Sequence, residues 1–252
     1  MKKWISVLAI FLSLFATAQN ESLFHSATAA YNDANYQDAV KNYLQILENG
    51  EHSANLYFNL GNSYYKLNQI GPSIYYYEKA LLLSPNDTEI RNNLSFAQNM
   101  TIDVIEAVPQ TSLSKAISAF KDILSFDQWA YMAVGCMILF VFLYLAFYFL
   151  RFATHKRIAF ILSFLGLFFM AISIIMAIVQ YRDFNTTQPA IIFAEESKVK
   201  AEPNNRSNEV FVLHEGTKVF VESQLNDWKK IKLVDGKTGW IPASDLKVLK
   251  DF

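Results

Sequence analysis

Residues 54–87 read ANLYFNLGNSYYKLNQIGPSIYYYEKALLLSPND, and this stretch decides the fold of the N-terminal half. It describes a hairpin of two antiparallel helices. Leu60 and Tyr64 fill the seam between them, Gly61 lets them approach, Ala80 keeps the second helix close, and Pro85 ends it. A 34-residue step back aligns 20–53, with Leu23, Ala27, Ala39 and Tyr43 in the corresponding places. That copy is looser: Ser26 stands for the seam leucine, Ala30 for the tyrosine, Ile46 for the later alanine and Glu51 for the proline. The next step forward aligns Leu94 with the leucine and Ser95 with the glycine, over one helix only, before Pro109. The expectation is an all-α solenoid over 20–105: hairpins at 20–53 and 54–87, then a capping helix at 88–105.

The register places Tyr57, Leu60, Gly61, Tyr64, Tyr77, Ala80 and Pro85 at seven signature positions, and in this the stretch closely resembles a tetratricopeptide repeat. The resemblance implies a concave face built mainly by the first helix of each pair. The family's groove-facing positions fall here on Glu21, Phe24, Thr28 and Tyr31, then on Asn55, Phe58, Asn62 and Tyr65, with Asn59 and Lys66 at the border. The following helix adds Glu89, Asn92 and Phe96. As partner-binding candidates we take Phe24, Tyr31, Asn55, Phe58, Asn62, Tyr65, Lys66, Asn92 and Phe96: rings supply apolar area, and carboxamides can bond an extended peptide backbone. The competing reading makes about half of these aromatics seam residues. The cations that grip a C-terminal carboxylate in chaperone-binding members are mostly missing, with Glu21 and Glu89 where cations would help. Tyr75, Tyr76 and Tyr77 lie on the second helix, where some must face outward or towards a neighbour.

Hydrophobic residues make up 52% of the 252-residue chain, above the usual 45–50%. The excess is local. Residues 129–150 and 158–179 contain no Asp, Glu, Lys or Arg, and each 22-residue helix would span about 33 Å against a hydrocarbon core of about 30 Å. The expectation is two transmembrane helices, 129–150 and 158–181. The turn between them, 151–157, carries Arg151, Lys156 and Arg157 and no acid, so the positive-inside rule assigns it to the cytoplasm. Neither span holds a charge that would mark an ion path.

At the N-terminus Lys2-Lys3, the apolar run WISVLAIFLSLF and Ala16-Thr17-Ala18 form the three zones of a secretory signal peptide over 1–18. Cleavage after Ala18 competes with an uncleaved anchor. Export of the first domain agrees with the loop charge, so both flanking segments are expected outside. Between them, 111–128 (TSLSKAISAFKDILSFDQ) carries Leu113, Ala116, Ile117, Phe120, Ile123 and Leu124 at three- and four-residue spacing. Two readings of this amphipathic linker stand: a helix in the membrane interface, or one packed on the preceding domain.

The tail changes period. VFVLHEG at 210–216 and TKVFVES at 217–223 are rich in strand formers, and Asp235-Gly236 is a hairpin turn between Trp228-Lys-Lys-Ile231 and Trp240-Ile241. The expectation is a small all-β barrel of five or six strands within 190–252. Four linked pieces, at 197–207, 213–219, 227–233 and 235–246, resemble a bacterial SH3-like domain. Such domains are associated with peptide or cell-wall binding. Trp228 and Trp240 are read as scaffold residues first, with Trp240 supplying a ring to the core, and as a second candidate ligand surface.

Signal, repeats, two spans around a short basic loop and a terminal SH3-like domain, in that order, resemble the BatE proteins of the Bacteroides aerotolerance group. The resemblance implies a multi-pass inner-membrane protein of the Bacteroidetes with both terminal domains periplasmic. It also implies partnership with Bat membrane proteins bearing von Willebrand factor A domains. The expected function is a scaffold for protein partners, with peptidoglycan binding by the tail as the alternative; the bilayer is the other partner.

Net charge of -1 argues against a nucleic-acid partner bound by phosphate neutralisation. His25, His52, His155 and His214 are scattered, no H-E-x-x-H or G-x-S-x-G occurs, and the single cysteine, Cys136, lies in an apolar run. No enzymatic activity, metal or cofactor is therefore expected.

Overall fold

The computed structural model describes residues 19–250, apart from Ala107, Gln110, Asp122 and the side chain of Leu113. The expected signal peptide lies outside the described residues. The chain forms two compact units. One joins the residues up to Val108 with those from Gln188 onwards, and the other is Pro109–Thr187.

Among the described residues the first unit begins with five helices: α1 (19–32), α2 (Tyr36–Glu48), α3 (Ala54–Lys66), α4 (Ile70–Leu83) and α5 (Thr88–Gln98). Local chemistry sets their ends. The Ser53 hydroxyl accepts from the Leu56 N–H at 3.2 Å, and the Asp87 carboxylate accepts from Glu89 and Ile90, satisfying amide groups that have no partner within the helix. The 34-residue step is visible in the backbone. Ala34 (φ 59°) and Asn68 (φ 58°) each take the left-handed conformation, and Asn35 N–H to Ala30 O (2.8 Å) recurs as Gln69 N–H to Tyr64 O (3.0 Å). The looser stretch 20–53 thus turns as its successor does. Gly61 is required by packing, since a Cβ there would sit 2.5 Å from the Tyr77 ring. Tyr43, Ile46, Leu56 and Leu60 fill one seam; Tyr57, Ile74, Tyr77, Ala80, Ile90 and Leu94 fill the next. The helix expected over 88–105 ends at Gln98, because the residues after it have other partners.

The sheet of the same unit contains β1 (Gln188–Ile192), β2 (Glu196–Lys200), β3 (Glu209–His214), β4 (Lys218–Leu225), β5 (Trp228–Lys232), β6 (Thr238–Pro242) and β7 (Leu246–Val248). All paired strands are antiparallel, in the order β3-β2-β6-β5-β4-β1-β7. Seven strands replace the five or six expected, and β3 and β7, at the two ends, each pair on one side only, so the sheet does not close into a barrel through its ladder. The turn at Asp235-Gly236 forms as read: Gly236 has φ 89°, and Leu233 and Lys237 close the hairpin. Ala190, Ile192, Val199, Leu213, Val219, Ile231, Leu233 and Ile241 make the core.

Repeats and sheet share buried surface. Ile74 and Tyr75 of α4 pack with Ile191 and Leu249, and Tyr75 meets Phe193 edge-on at 5.4 Å while its hydroxyl donates to Val248 O at 3.3 Å. Lys218 pairs with the buried Glu78 at 2.6 Å. Gly216, at φ 88°, lies where a Cβ would be 2.9 Å from Thr101 and 3.1 Å from Ile74, so a side chain there is barred by both conformation and space. The segment after α5 runs onto the sheet: Ile105 packs against its core, Val108 N–H reaches Val234 O, and Asp103 receives three donors. These are the His214 N–H (2.7 Å), the Thr217 hydroxyl, and His214 Nδ1 (2.7 Å).

The second unit holds α6 (Ser112–Lys121), α7 (Phe126–Phe149) and α8 (Ala153–Thr186). α7 and α8 are long and apolar enough to cross a membrane. α7 begins three residues before its charge-free segment and α8 extends past its own at both ends, so that His155, Lys156 and Arg157 lie in the first turns of α8 rather than in a loop. The two pack antiparallel, with Phe126 against Tyr181 and Phe184, and Phe147 against Phe160. Gly166 sits where a Cβ would touch Cys136 O at 3.6 Å, so this small residue serves contact within the chain's own hairpin.

Candidate partner-binding groove

The first helices of the repeats supply the candidate face, and the second helices tie it down from behind. Thr28 and Tyr43 share a hydroxyl bond of 3.0 Å; one repeat later Tyr77 donates to Asn62 Oδ1 at 2.6 Å. Thr28 and Asn62 are both ninth positions, so the same tyrosine brace holds both rows. Asn62 Oδ1 also accepts from Asn93 Nδ2 at 2.9 Å. The carboxamide oxygen of Asn62 is therefore engaged within the fold, and its NH2 is what it can offer a guest. Burial pushes the Tyr77 hydroxyl well above the ordinary tyrosine range, with Tyr31 and Tyr65 close enough to add to the shift. Tyr31 is raised too, by burial and then by Tyr36 and Tyr43. These phenols are neutral donors and acceptors.

Around this polar centre the rings are half-buried. Phe24 lies edge-on to Tyr43 at 5.5 Å, Tyr31 edge-on to Tyr36 at 5.3 Å, and Phe58 tilts against Tyr77 at 5.9 Å. Phe58 and Tyr65 also lean on the inter-repeat core, so they serve seam and surface together. Phe96 is different: it is 62% exposed. Lys66 at the border, Asn92 on α5 and Asn55 at the start of α3 are exposed. Asn93 and Tyr77 are not among the sequence candidates; the signal for Tyr77 is its place one repeat after Tyr43.

On the sheet, Trp228 and Trp240 are half-buried and outside the core. The expectation of a core Trp240 is corrected, because Gly239 and Ile241 point inward and Trp240 lies on the opposite side. By register Trp240 stands opposite Lys230 and Lys200, and Trp228 opposite Leu225 and Pro242. Both tryptophans and Lys230 thus share the outward face.

Among the described residues no group of three or more His, Cys, Asp or Glu is placed to hold a metal. Asp103, His214 and Thr217 meet, but both side chains bond the carboxylate rather than each other, so His214 is not placed as a base on Thr217. Burial disfavours the Asp103 carboxylate, and bonds from Thr217 and His214 outweigh it, holding the carboxyl below its ordinary value. This is a joint between repeats and sheet.

Residues 54–87 match the tetratricopeptide repeat family, and residues 196–247 match the bacterial SH3 domain family. No curated protein matches the chain. The repeat points to protein–protein interaction and the SH3 domain to cell-wall binding; both are typically binding domains without catalysis.

Proposed function

We propose that the protein is a membrane-tethered scaffold whose repeat groove holds a protein partner outside the cytoplasmic membrane, in an envelope or aerotolerance complex of the Bat type. The observation that carries this reading is the set of first-helix side chains: half-buried Phe24, Tyr31, Phe58 and Tyr65, rows held by the bonds of Tyr43 and Tyr77 to Thr28 and Asn62, and exposed Asn55, Asn92 and Phe96. Partnership with Bat proteins bearing von Willebrand factor A domains rests on the order of the segments. Placement outside rests on the leader and on Arg151, Lys156 and Arg157. The packing of repeats on sheet supports one part of the topology, because segments before and after the two spans must then share a compartment. The test is crosslinking in intact cells followed by purification of the full chain, comparing the parent with Phe58→Ala/Tyr65→Ala. Equal recovery of the same partners by a variant with parental melting rejects the groove.

A second reading, cell-wall binding through the sheet, is favoured by the match over 196–247 and by the outward Trp228, Lys230 and Trp240. Pelleting of the full chain with purified peptidoglycan, with and without Trp228→Ala, tests it. Pelleting no greater than a wall-free control ends that reading.

A further inference from the structure

We infer that α6 lies along the water–lipid boundary, with the side carrying Ile117 and Phe120, continued by Ile123 just past its end, resting in the acyl chains beside the emerging ends of α7 and α8. This rests on the reading that those two helices cross a bilayer. Ile117, Phe120 and Ile123 are 59%, 45% and 57% exposed although they belong to the same compact unit as the spans. Lys115 lies on the other side of the same helix, with the small Ala119 next to it, and both are exposed as well. A helix with one apolar and one polar side, both uncovered by its own unit, fits a boundary between two solvents.

The attachment of α6 fixes which boundary. Trp129, in the first turn of α7, donates through Nε1 to Lys121 O at 3.2 Å, and its ring lies 5.7 Å from Phe120. Gln180, near the end of α8, donates to Leu124 O at 2.9 Å and also to Lys121 O. Lys121 pairs with Asp183 at 2.6 Å. The capping box of Ser125 and Gln128 closes the turn from α6 into α7. Every tether therefore lies where the apolar surface of the two long helices gives way to Asp127, Arg182 and Asp183. The apolar side of α6 continues the lipid-facing surface, and its lysine Lys121 is held at the level of the polar ends. A lipid surface, rather than a shaped protein pocket, suits a short stripe along a single helix.

The experiment uses the full chain with Cys136→Ser, reconstituted in phosphatidylcholine–phosphatidylglycerol vesicles. Nitroxide labels are attached singly through Ile117→Cys, Phe120→Cys, Ala119→Cys and Phe168→Cys. Collision with oxygen, which partitions into lipid, is compared with collision with a water-soluble nickel chelate. The expected result is strong oxygen and weak nickel collision at 117 and 120, the reverse at 119, and a deep lipid signature at 168, which is 59% exposed at mid-helix. Nickel access at 117 and 120 with lipid at 168 overturns the inference and leaves the spans standing. Exclusion of both reagents at 117 and 120 also overturns it, since protein then covers the stripe. Nickel access at 168 overturns the membrane reading and the inference together. Ile117 is the primary site, because a label at Phe120 also disturbs the Trp129 contact.

Discussion

Replacing Asp103 with Ala should loosen the sheet from the repeats. The carboxylate accepts from the His214 N–H, His214 Nδ1 and the Thr217 hydroxyl, and its side chain is 12% exposed. Hydrogen bonds to a charged group contribute about 1.5–3 kcal/mol, and the loss of a carboxylate that three donors share places the effect at the upper end, about 3 kcal/mol. At about 2–4 °C per kcal/mol for a body of 150–250 residues, the melting temperature should fall by roughly 6–12 °C. Scanning calorimetry of the purified full chain in detergent measures it, with Asp103→Asn, which keeps an acceptor, expected between parent and Asp103→Ala. Acid offers an independent check. Because the folded carboxyl titrates below its ordinary 3.8, its stabilisation is complete above that value and is lost as pH falls through the lower folded value. The difference between parent and Asp103→Ala should therefore shrink below 3.8. Parental melting by Asp103→Ala at neutral pH, with unchanged amide exchange over residues 190–192, would refute the reasoning.

Phe96→Ala should leave melting within the roughly 0.5 kcal/mol of a surface change while lowering partner recovery; a hot spot of about 2 kcal/mol corresponds to about 30-fold. Ile241, fully buried, should cost about 2–5 kcal/mol on truncation to Ala, and Trp240→Ala less, so the two melting temperatures should fall in that order. Ala34→Asn copies the residue at the equivalent turn, Asn68, and should raise melting by about 1–2 °C, since a non-glycine left-handed residue costs about 1–2 kcal/mol and Asn bears it better than Ala. Single cysteines at residues 45, 154 and 226 in a Cys136→Ser chain test topology in cells stripped of their outer membrane. An impermeant thiol reagent should reach 45 and 226, and reach 154 only after inner-membrane disruption; the opposite pattern inverts the orientation.

The repeat is legible in the sequence because each signature residue answers a local steric demand, as Gly61 against Tyr77 shows. The long apolar helices and the Asp235-Gly236 turn are legible for the same reason: length, charge and left-handed geometry are local properties. Trp240 escapes such a reading because the inward parity of β6 is carried by Gly239, which has no side chain to announce it. The joint is beyond its reach altogether. Asp103 and His214 are 111 residues apart, and nothing in the neighbourhood of either gives the other away. Tyr75 belongs to a tyrosine triplet of which some members need a neighbour, and its neighbour is Phe193, from the far side of the spans. The ends of α5 and α8 differ from expectation because periodicity does not tell where a tertiary contact recruits the chain.

The shared core of α4 and β1 also dictates an order of manufacture. Ile74 and Tyr75 are made long before Ile191 and Leu249, and both apolar helices are synthesised in the interval. Throughout that time the nascent repeats carry an uncovered apolar flank. Completion waits until α8 has been made and the tail that follows it can reach α4. A chain interrupted after α8 would keep its repeats but leave that flank bare, so quality control could recognise unfinished copies by a surface that finished ones hide.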